Sequence, residues 1–201
     1  MNPMRPEDLL LPTPSGVCCK PGGFYIDPTR PVDKALITHG HSDHARAGHG
    51  KVLATQETLD IMRLRYGDNF AGSVQAIRYG ETVTLNGVAA TFHPAGHVLG
   101  SAQIAVERKG CRIVASGDYK NVSDPTCAPF ELVPCDVFIT EATFGLPVFR
   151  HPDPEAEIAK LLHSVALFPE RAHLVGLSMG GALTCLLAIE QGFRPGTVGL
   201  R

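Results

Sequence analysis

The 201-residue chain lacks several features that mark membrane and secreted proteins. No apolar run approaches the roughly 20 residues that a membrane-spanning helix needs. Residues 1–14 are interrupted by four prolines and contain no apolar stretch of the signal-peptide kind, so we expect a cytoplasmic protein with no membrane partner. The six cysteines include no C-x-x-C pair, which favours reduced, mostly buried thiols over disulfides.

The chain also lacks a large excess of positive or negative charge. A formal net charge of −2 gives no general attraction to nucleic acid. A local basic groove can lie within a nearly neutral total, so this balance weakens a nucleic-acid interpretation without excluding it. With 44% hydrophobic and 19% charged residues, the composition is that of a globular protein large enough to bury its own core.

The most informative stretch begins after a short apolar run and reads T-H-G-H-S-D-H over residues 38–44. Side chains at positions i and i+2 of an extended segment point the same way, so His39 and His41 can hold one ion together. Asp43 and His44 follow where the chain must turn, and they can serve a second ion. Imidazole and carboxylate ligands are typical of zinc, and less so of manganese or iron. A polar loop with incidental histidines is the alternative, and the spacing argues against it.

Two later stretches offer further ligands. Residues 93–101 read H-P-A-G-H-V-L-G-S and end a predicted strand in a tight loop, where His93 and His97 compete for one ligand role. Asp118 follows a glycine at the end of another predicted strand, and its carboxylate can bridge two ions. We therefore predict a two-metal site, in which a water between the ions is deprotonated near neutral pH and attacks a phosphoryl group whose developing charge the ions stabilise.

The H-x-H-x-D-H motif resembles the signature of the metallo-β-lactamase superfamily, whose members hydrolyse lactams, thioesters, phosphodiesters and nucleic acids. In that family's pattern the ligand histidine follows a glycine, which selects His97 over His93. The resemblance implies six metal ligands, with His39, His41 and His97 in a first pocket, Asp43 and His44 in a second, and Asp118 between them. It also implies catalytic roles for Asp118 and for Asp43, which would orient the attacking hydroxide.

A third motif narrows the resemblance to the β-CASP branch, whose members are nucleases. Residues 141–145 read E-A-T-F-G after a predicted buried strand and resemble the E-[ST]-[ST]-[YF]-G motif, with Ala142 replacing the usual hydroxyl residue. Glu141 is therefore a candidate catalytic residue, although a strand-end carboxylate alone would be ordinary. Four further stretches, at residues 21–27, 117–120, 124–130 and 143–147, resemble the bacterial ligase-associated DNA exonucleases.

That last resemblance covers residues 9–176 and implies a complete set of functional expectations. The activity would be zinc-dependent hydrolysis of phosphodiesters at DNA ends, with two Zn²⁺ per site and Mn²⁺ as the other possible metal. The partners would be an ATP-dependent DNA ligase and a helicase, in DNA repair. A hydrolase of small esters or thioesters that shares only the metal motif is the alternative, and the Glu141 motif argues against it.

The alternation of strands and helices predicts an α/β fold. Apolar runs separated by turn residues predict two blocks of β-hairpins with one helix between them, which Thr55 or Gln56 opens and which ends before Gly67. This pattern is that of half of an αββα metallo-β-lactamase-like sandwich. A helix capped by Asp153, then a strand and a second helix, follow in a different style. We predict a metallo-β-lactamase-like N-terminal half over residues 1–147 and the incomplete beginning of a β-CASP-like α/β domain over residues 148–201.

The end of the chain raises two further alternatives. The family has later histidines that complete the second metal shell, and none of those after Glu141 fits, so we expect a nearly complete first pocket, an open second one, and a possible non-catalytic remnant. Residues 176–180 read G-L-S-M-G, the G-x-S-x-G pattern of a serine hydrolase with Ser178 as nucleophile. No histidine follows Ser178, and Glu190 is the last acid, so a catalytic triad in the usual order is excluded.

Overall fold

A computed structural model describes residues 4–123, 125–143, 145–149 and 152–167. The chain divides into two compact units, Met1–Glu141 and Ala142–Arg201. The elements of the first unit are α1 (Pro6–Leu9), β1 (Leu11–Thr13), β2 (Gly16–Cys19), β3 (Phe24–Ile26), β4 (Lys34–Leu36), β5 (His49–Ala54), α2 (Gln56–Tyr66), β6 (Ala71–Ala76), β7 (Thr82–Leu85), β8 (Val88–Pro94), β9 (Ala102–Arg108), β10 (Cys111–Ala115) and β11 (Val137–Ile139). The predicted α/β class is confirmed.

The first sheet contains β1 to β6 in chain order. The first three strands are antiparallel, as the predicted hairpins require, but β3, β4, β5 and β6 are all parallel. The prediction of a simple hairpin block was therefore wrong for this half of the sheet. Because the carboxyl ends of parallel strands meet at one edge, the residues that follow β3 and β4 emerge side by side.

The second sheet has the order β11-β10-β9-β8-β7. Two tight turns build its hairpins, at Asn86-Gly87 (φ 49° and 76°) and at Lys109-Gly110 (φ 50° and 76°), and two successive positive φ angles match the twist of paired strands. The last strand, β11, adds to the edge in parallel with β10. It was predicted to be buried, but Phe138 is 40% exposed. An apolar run does not distinguish an edge strand from a central one.

The core lies between the two sheets and beneath one helix. Leu36 and Leu53 of the first sheet pack with Phe92 and Ile104 of the second. On the outer face of the first sheet, Leu59 and Met62 of α2 pack with a second buried cluster. The predicted start of α2 is confirmed, since the Thr55 side chain accepts the Thr58 N–H. The order of the layers, a helix followed by two sheets, is that of the predicted sandwich half.

The second unit contributes one described helix, α3 (Pro154–Ala166), which begins where the Asp153 side chain accepts the Ala156 N–H. Within the described ranges, the structure contains no helix of the length and apolarity that crossing a membrane would require. The predicted strand and helix of residues 172–191, including Ser178, lie outside the described residues. The predicted domain boundary after residue 147 stays a prediction.

Candidate metal centre

Four segments from both sheets meet at one edge of the sandwich. Parallel pairing of β3 and β4 places Asp27 beside Thr38 and the histidines that follow it. The Ala102 N–H, at the start of β9, donates to the Thr38 carbonyl at 2.7 Å and so joins the two sheets there. A Cβ atom on Gly117 would lie 2.6 Å from the Thr38 hydroxyl, so only glycine allows the end of β10 to approach this closely.

Four of the six predicted ligands converge on one point: His39, His41, His97 and Asp118 offer ligand atoms that all lie within 4.8 Å of one another. The His41 Nδ1 is 3.0 Å from the His39 Nε2 and 3.3 Å from the His97 Nε2. Asp118 Oδ2 is 3.6 Å from the His97 Nε2. A tetrahedral zinc ion with bonds of about 2.0–2.2 Å separates its ligand atoms by about 3.4 Å, so the four residues fit one ion.

The other two predicted ligands lie on the far side of Asp118. Its second oxygen, Oδ1, is 3.4 Å from the His44 Nε2, and Asp43 Oδ2 is 3.7 Å from the same nitrogen. The two oxygens of Asp118 thus face different sets of ligands, as a bridging carboxylate must. The Asp43 side chain is 75% exposed, so this second half of the site is the more open one.

The protonation of the buried histidines suits metal binding. Burial, assisted by the neighbouring His44, His41 and His97, lowers the pKa of His39 to about 2. Burial also lowers the pKa of His97, against the opposing charge of Asp118. Both imidazoles are therefore neutral at physiological pH, and a metal ion requires its histidine ligands in that form.

Asp27 connects the two halves of the site, a role that no sequence motif predicts. Its Oδ1 accepts the Thr38 N–H at 2.8 Å, and its Oδ2 accepts both the Thr38 hydroxyl at 2.6 Å and His44 Nδ1–H at 2.8 Å. The Thr38 oxygen lies 3.0 Å from the Nδ1 of His39. Since the Thr38 proton points to the carboxylate, its oxygen can only accept from His39.

This network fixes which nitrogen of each histidine carries the proton. In both His39 and His44 the proton is held on Nδ1, which leaves the Nε2 lone pair free for an ion. Burial alone would lower the pKa of His44, but the hydrogen bond to Asp27 and the charges of Asp27, Asp118 and Asp43 raise it above its usual value. An ion at the His44 Nε2 would compete with a proton for that lone pair.

Similarity to known proteins bears on the role of this site. No protein-family model matches the chain. It is 30% identical over 179 residues to a protein named probable DNA ligase from Opitutus terrae, covering 86% of this chain and 17% of that protein. It is 28% identical over 199 residues to the endoribonuclease YSH1 of Eremothecium gossypii, covering 80% of this chain and 26% of that protein. These similarities agree with the predicted resemblance of the chain to the β-CASP branch of the metallo-β-lactamase superfamily.

One solved structure has a fold similar to that of this chain. A protein of unknown function from Enterococcus faecalis V583 superposes with a TM-score of 0.53 at 13% identity, covering 78% of this chain and 44% of that one. The chain spans only 17% and 26% of the length of the two curated relatives above. The activity, substrates and partners of those longer proteins therefore extend to this chain only as proposals.

Three further residues lie outside the group of four converging ligands. Glu141 follows β11, and its charge is one of those that act to raise the pKa of His97 against the larger effect of burial. His93 is not part of the converging group, because its Nδ1 is paired with Glu131 Oε1 at 3.0 Å. His49 is 1% exposed, and its Nδ1 accepts the Val32 N–H.

Proposed function

We propose that this chain carries the metal centre of a metal-dependent phosphodiester hydrolase, an exonuclease that acts on DNA. The convergence of His39, His41, His97 and Asp118 carries this proposal, because three imidazoles and a carboxylate form a typical ligand set for a hydrolytic metal. The placement of His44 on the other side of Asp118 supports a second ion. The names of the relatives, a probable DNA ligase and an endoribonuclease, support a nucleic-acid substrate.

Zinc is the proposed ion, with manganese as the second choice. Two bound ions would polarise a phosphoryl oxygen and make a water nucleophilic near neutral pH. The chain's own residues orient the reaction: Asp118 aligns the two halves of the site, and exposed Asp43 accepts a hydrogen bond from the attacking water. Glu141 is proposed as a further catalytic carboxylate on the side of His97, where its charge acts.

The choice of DNA rests on the ligase-like relative and on the family motifs. The region similar to this chain forms a small part of a longer protein named probable DNA ligase, which supports a partnership with a ligase in DNA repair. The endoribonuclease relatives favour RNA instead, so RNA is the second candidate substrate. The helicase partner and the cytoplasmic location stay predictions from the sequence.

A panel of substrates tests this proposal directly. Purified chain supplied with Zn²⁺ or Mn²⁺ is expected to degrade labelled linear DNA from its ends, and to leave a circular single strand of the same sequence intact. It is expected to act more slowly on RNA of that sequence and to release no thiol from a small thioester. Cutting of the circle would indicate an endonuclease, faster loss of RNA would indicate a ribonuclease, and inactivity on every substrate would support a non-catalytic remnant.

A further inference from the structure

A short segment on the outer face of the second sheet contacts both loops that supply ligands to the first pocket. We call residues 129–135 the outer segment. Within it, the Glu131 N–H donates to the Pro94 carbonyl at 3.2 Å, just before the loop that carries His97. The next carbonyl along that loop, of Ala95, accepts the Lys120 N–H at 3.0 Å, two residues beyond Asp118. The two ligand loops are thus joined to each other, and one of them to the outer segment.

The space among these three pieces of chain is completely filled. Gly96 has a φ of +71°, and a Cβ atom there would lie 2.9 Å from the Phe130 nitrogen and even nearer the Lys120 carbonyl. The Phe130 ring packs against Tyr119, the neighbour of Asp118, with ring centroids 5.4 Å apart. Movement of the outer segment away from the sheet would therefore remove a packing contact from each ligand loop.

Glu131 holds the outer segment in place through two groups. Its carboxylate oxygen Oε1 lies 3.0 Å from the Nδ1 of His93 on β8. Its backbone carbonyl accepts a hydrogen bond from the Nε2 of Gln103, a fully buried residue of β9 that also donates to the Pro94 carbonyl at 3.0 Å. One residue thus fixes the outer segment to two adjacent strands beneath the His97 loop.

We propose that Glu131 is a positioning residue of the metal centre. Through His93 and the outer segment it keeps the loops of His97 and Asp118 at the separation that allows both to reach one ion. The inference rests on the proposed metal centre for its effect on binding, but the ordering of the loops belongs to the metal-free protein. Without this contact, the cost of ordering both loops falls on metal binding, and affinity decreases.

Three variants of the full chain test this role. Glu131→Ala removes the contact with His93, whereas Glu131→Gln keeps an oxygen that can accept from Nδ1–H. Glu107→Ala is the matched control, since Glu107 also lies on the second sheet, is comparably exposed (41% against 50%) and pairs with Arg112 far from any ligand loop. We expect Glu131→Ala to weaken Zn²⁺ binding about tenfold, as loss of an outer-shell partner does, with the other two variants close to the wild type.

Amide hydrogen exchange on the metal-free protein supplies a second, independent readout. The amides of Lys120 and Glu131 donate to the His97 loop, so both are expected to exchange faster in Glu131→Ala and unchanged in Glu107→Ala. If Glu131→Ala exchanged these amides and bound Zn²⁺ as the wild type does, the proposal would be overturned. It would also be overturned if Glu131→Gln bound Zn²⁺ as weakly as Glu131→Ala. A wild-type chain that binds no Zn²⁺ would instead overturn the metal centre, and the exchange data would still decide the role of Glu131.

Discussion

Asp118→Asn is expected to lower kcat/KM for DNA by at least about a thousandfold while the chain stays folded. The change preserves the shape of the side chain but replaces one oxygen by an amide nitrogen, which cannot bind a metal ion. Because the two oxygens of Asp118 face His97 and His44 respectively, the variant cannot bridge the two halves of the site. Metal ions contribute several kcal/mol to stabilising a phosphoryl transition state, and about 1.4 kcal/mol corresponds to a tenfold change in rate.

Steady-state kinetics, with circular dichroism to confirm folding, check this prediction. Asp136→Asn is the matched control, because Asp136 also borders a strand of the second sheet, where its carboxylate accepts the Arg112 N–H at 2.8 Å. That variant is expected to keep its activity within about threefold, as surface substitutions away from a site usually do. An Asp118→Asn protein with activity within tenfold of the wild type would contradict a bridging role.

Asp27→Asn is expected to weaken Zn²⁺ binding by about 10- to 100-fold, the usual effect of losing a partner of a ligand histidine. The φ of +43° at this position is one that asparagine adopts as readily as aspartate, so the backbone is not strained. One carboxylate oxygen becomes an NH₂ group that can only donate. If it faces His44, the proton of that ring moves to Nε2 and the ligand is lost.

Thr38→Val separates the two branches of this network. Valine removes the hydroxyl between Asp27 and His39 but leaves the direct bond from His44 to Asp27 intact. A Zn²⁺ titration by isothermal calorimetry should therefore show a weaker first ion in Thr38→Val and both ions affected in Asp27→Asn. The exposed Asp60, paired with Arg63 on α2, supplies the control Asp60→Asn. Unchanged titrations in both site variants would mean that the network does not orient the ligands.

Local patterns in the chain were sufficient to predict the hairpins of the second sheet and the grouping of four candidate ligands. The turns at Asn86-Gly87 and Lys109-Gly110 could be predicted from the sequence, because only a few residue types adopt two positive φ angles in succession. The histidines of residues 38–44 could be predicted as metal ligands because they lie close together in the sequence. Their convergence with His97 and Asp118 followed from the position of each residue at a strand end.

Features that depend on distant pairing were not predicted. Asp27 lies beside Thr38 only because β3 and β4 are parallel, and neither strand carries a local sign of that pairing. The exposure of β11 depends on its place at the edge of the second sheet. The contact of Glu131 with His93 spans 38 residues, and an acidic residue in a loop gives no indication of its partner.

The measurement that tests the central claim most directly is the amount of zinc bound per chain. Elemental analysis of freshly purified, folded protein is expected to find one ion held tightly by His39, His41, His97 and Asp118, with a second taken up as Zn²⁺ is added. His39→Ala is expected to lose the tightly bound ion, because this fully buried residue supplies one of the four converging ligand atoms. A folded wild-type chain without zinc, or zinc content unchanged in His39→Ala, would contradict the metal centre.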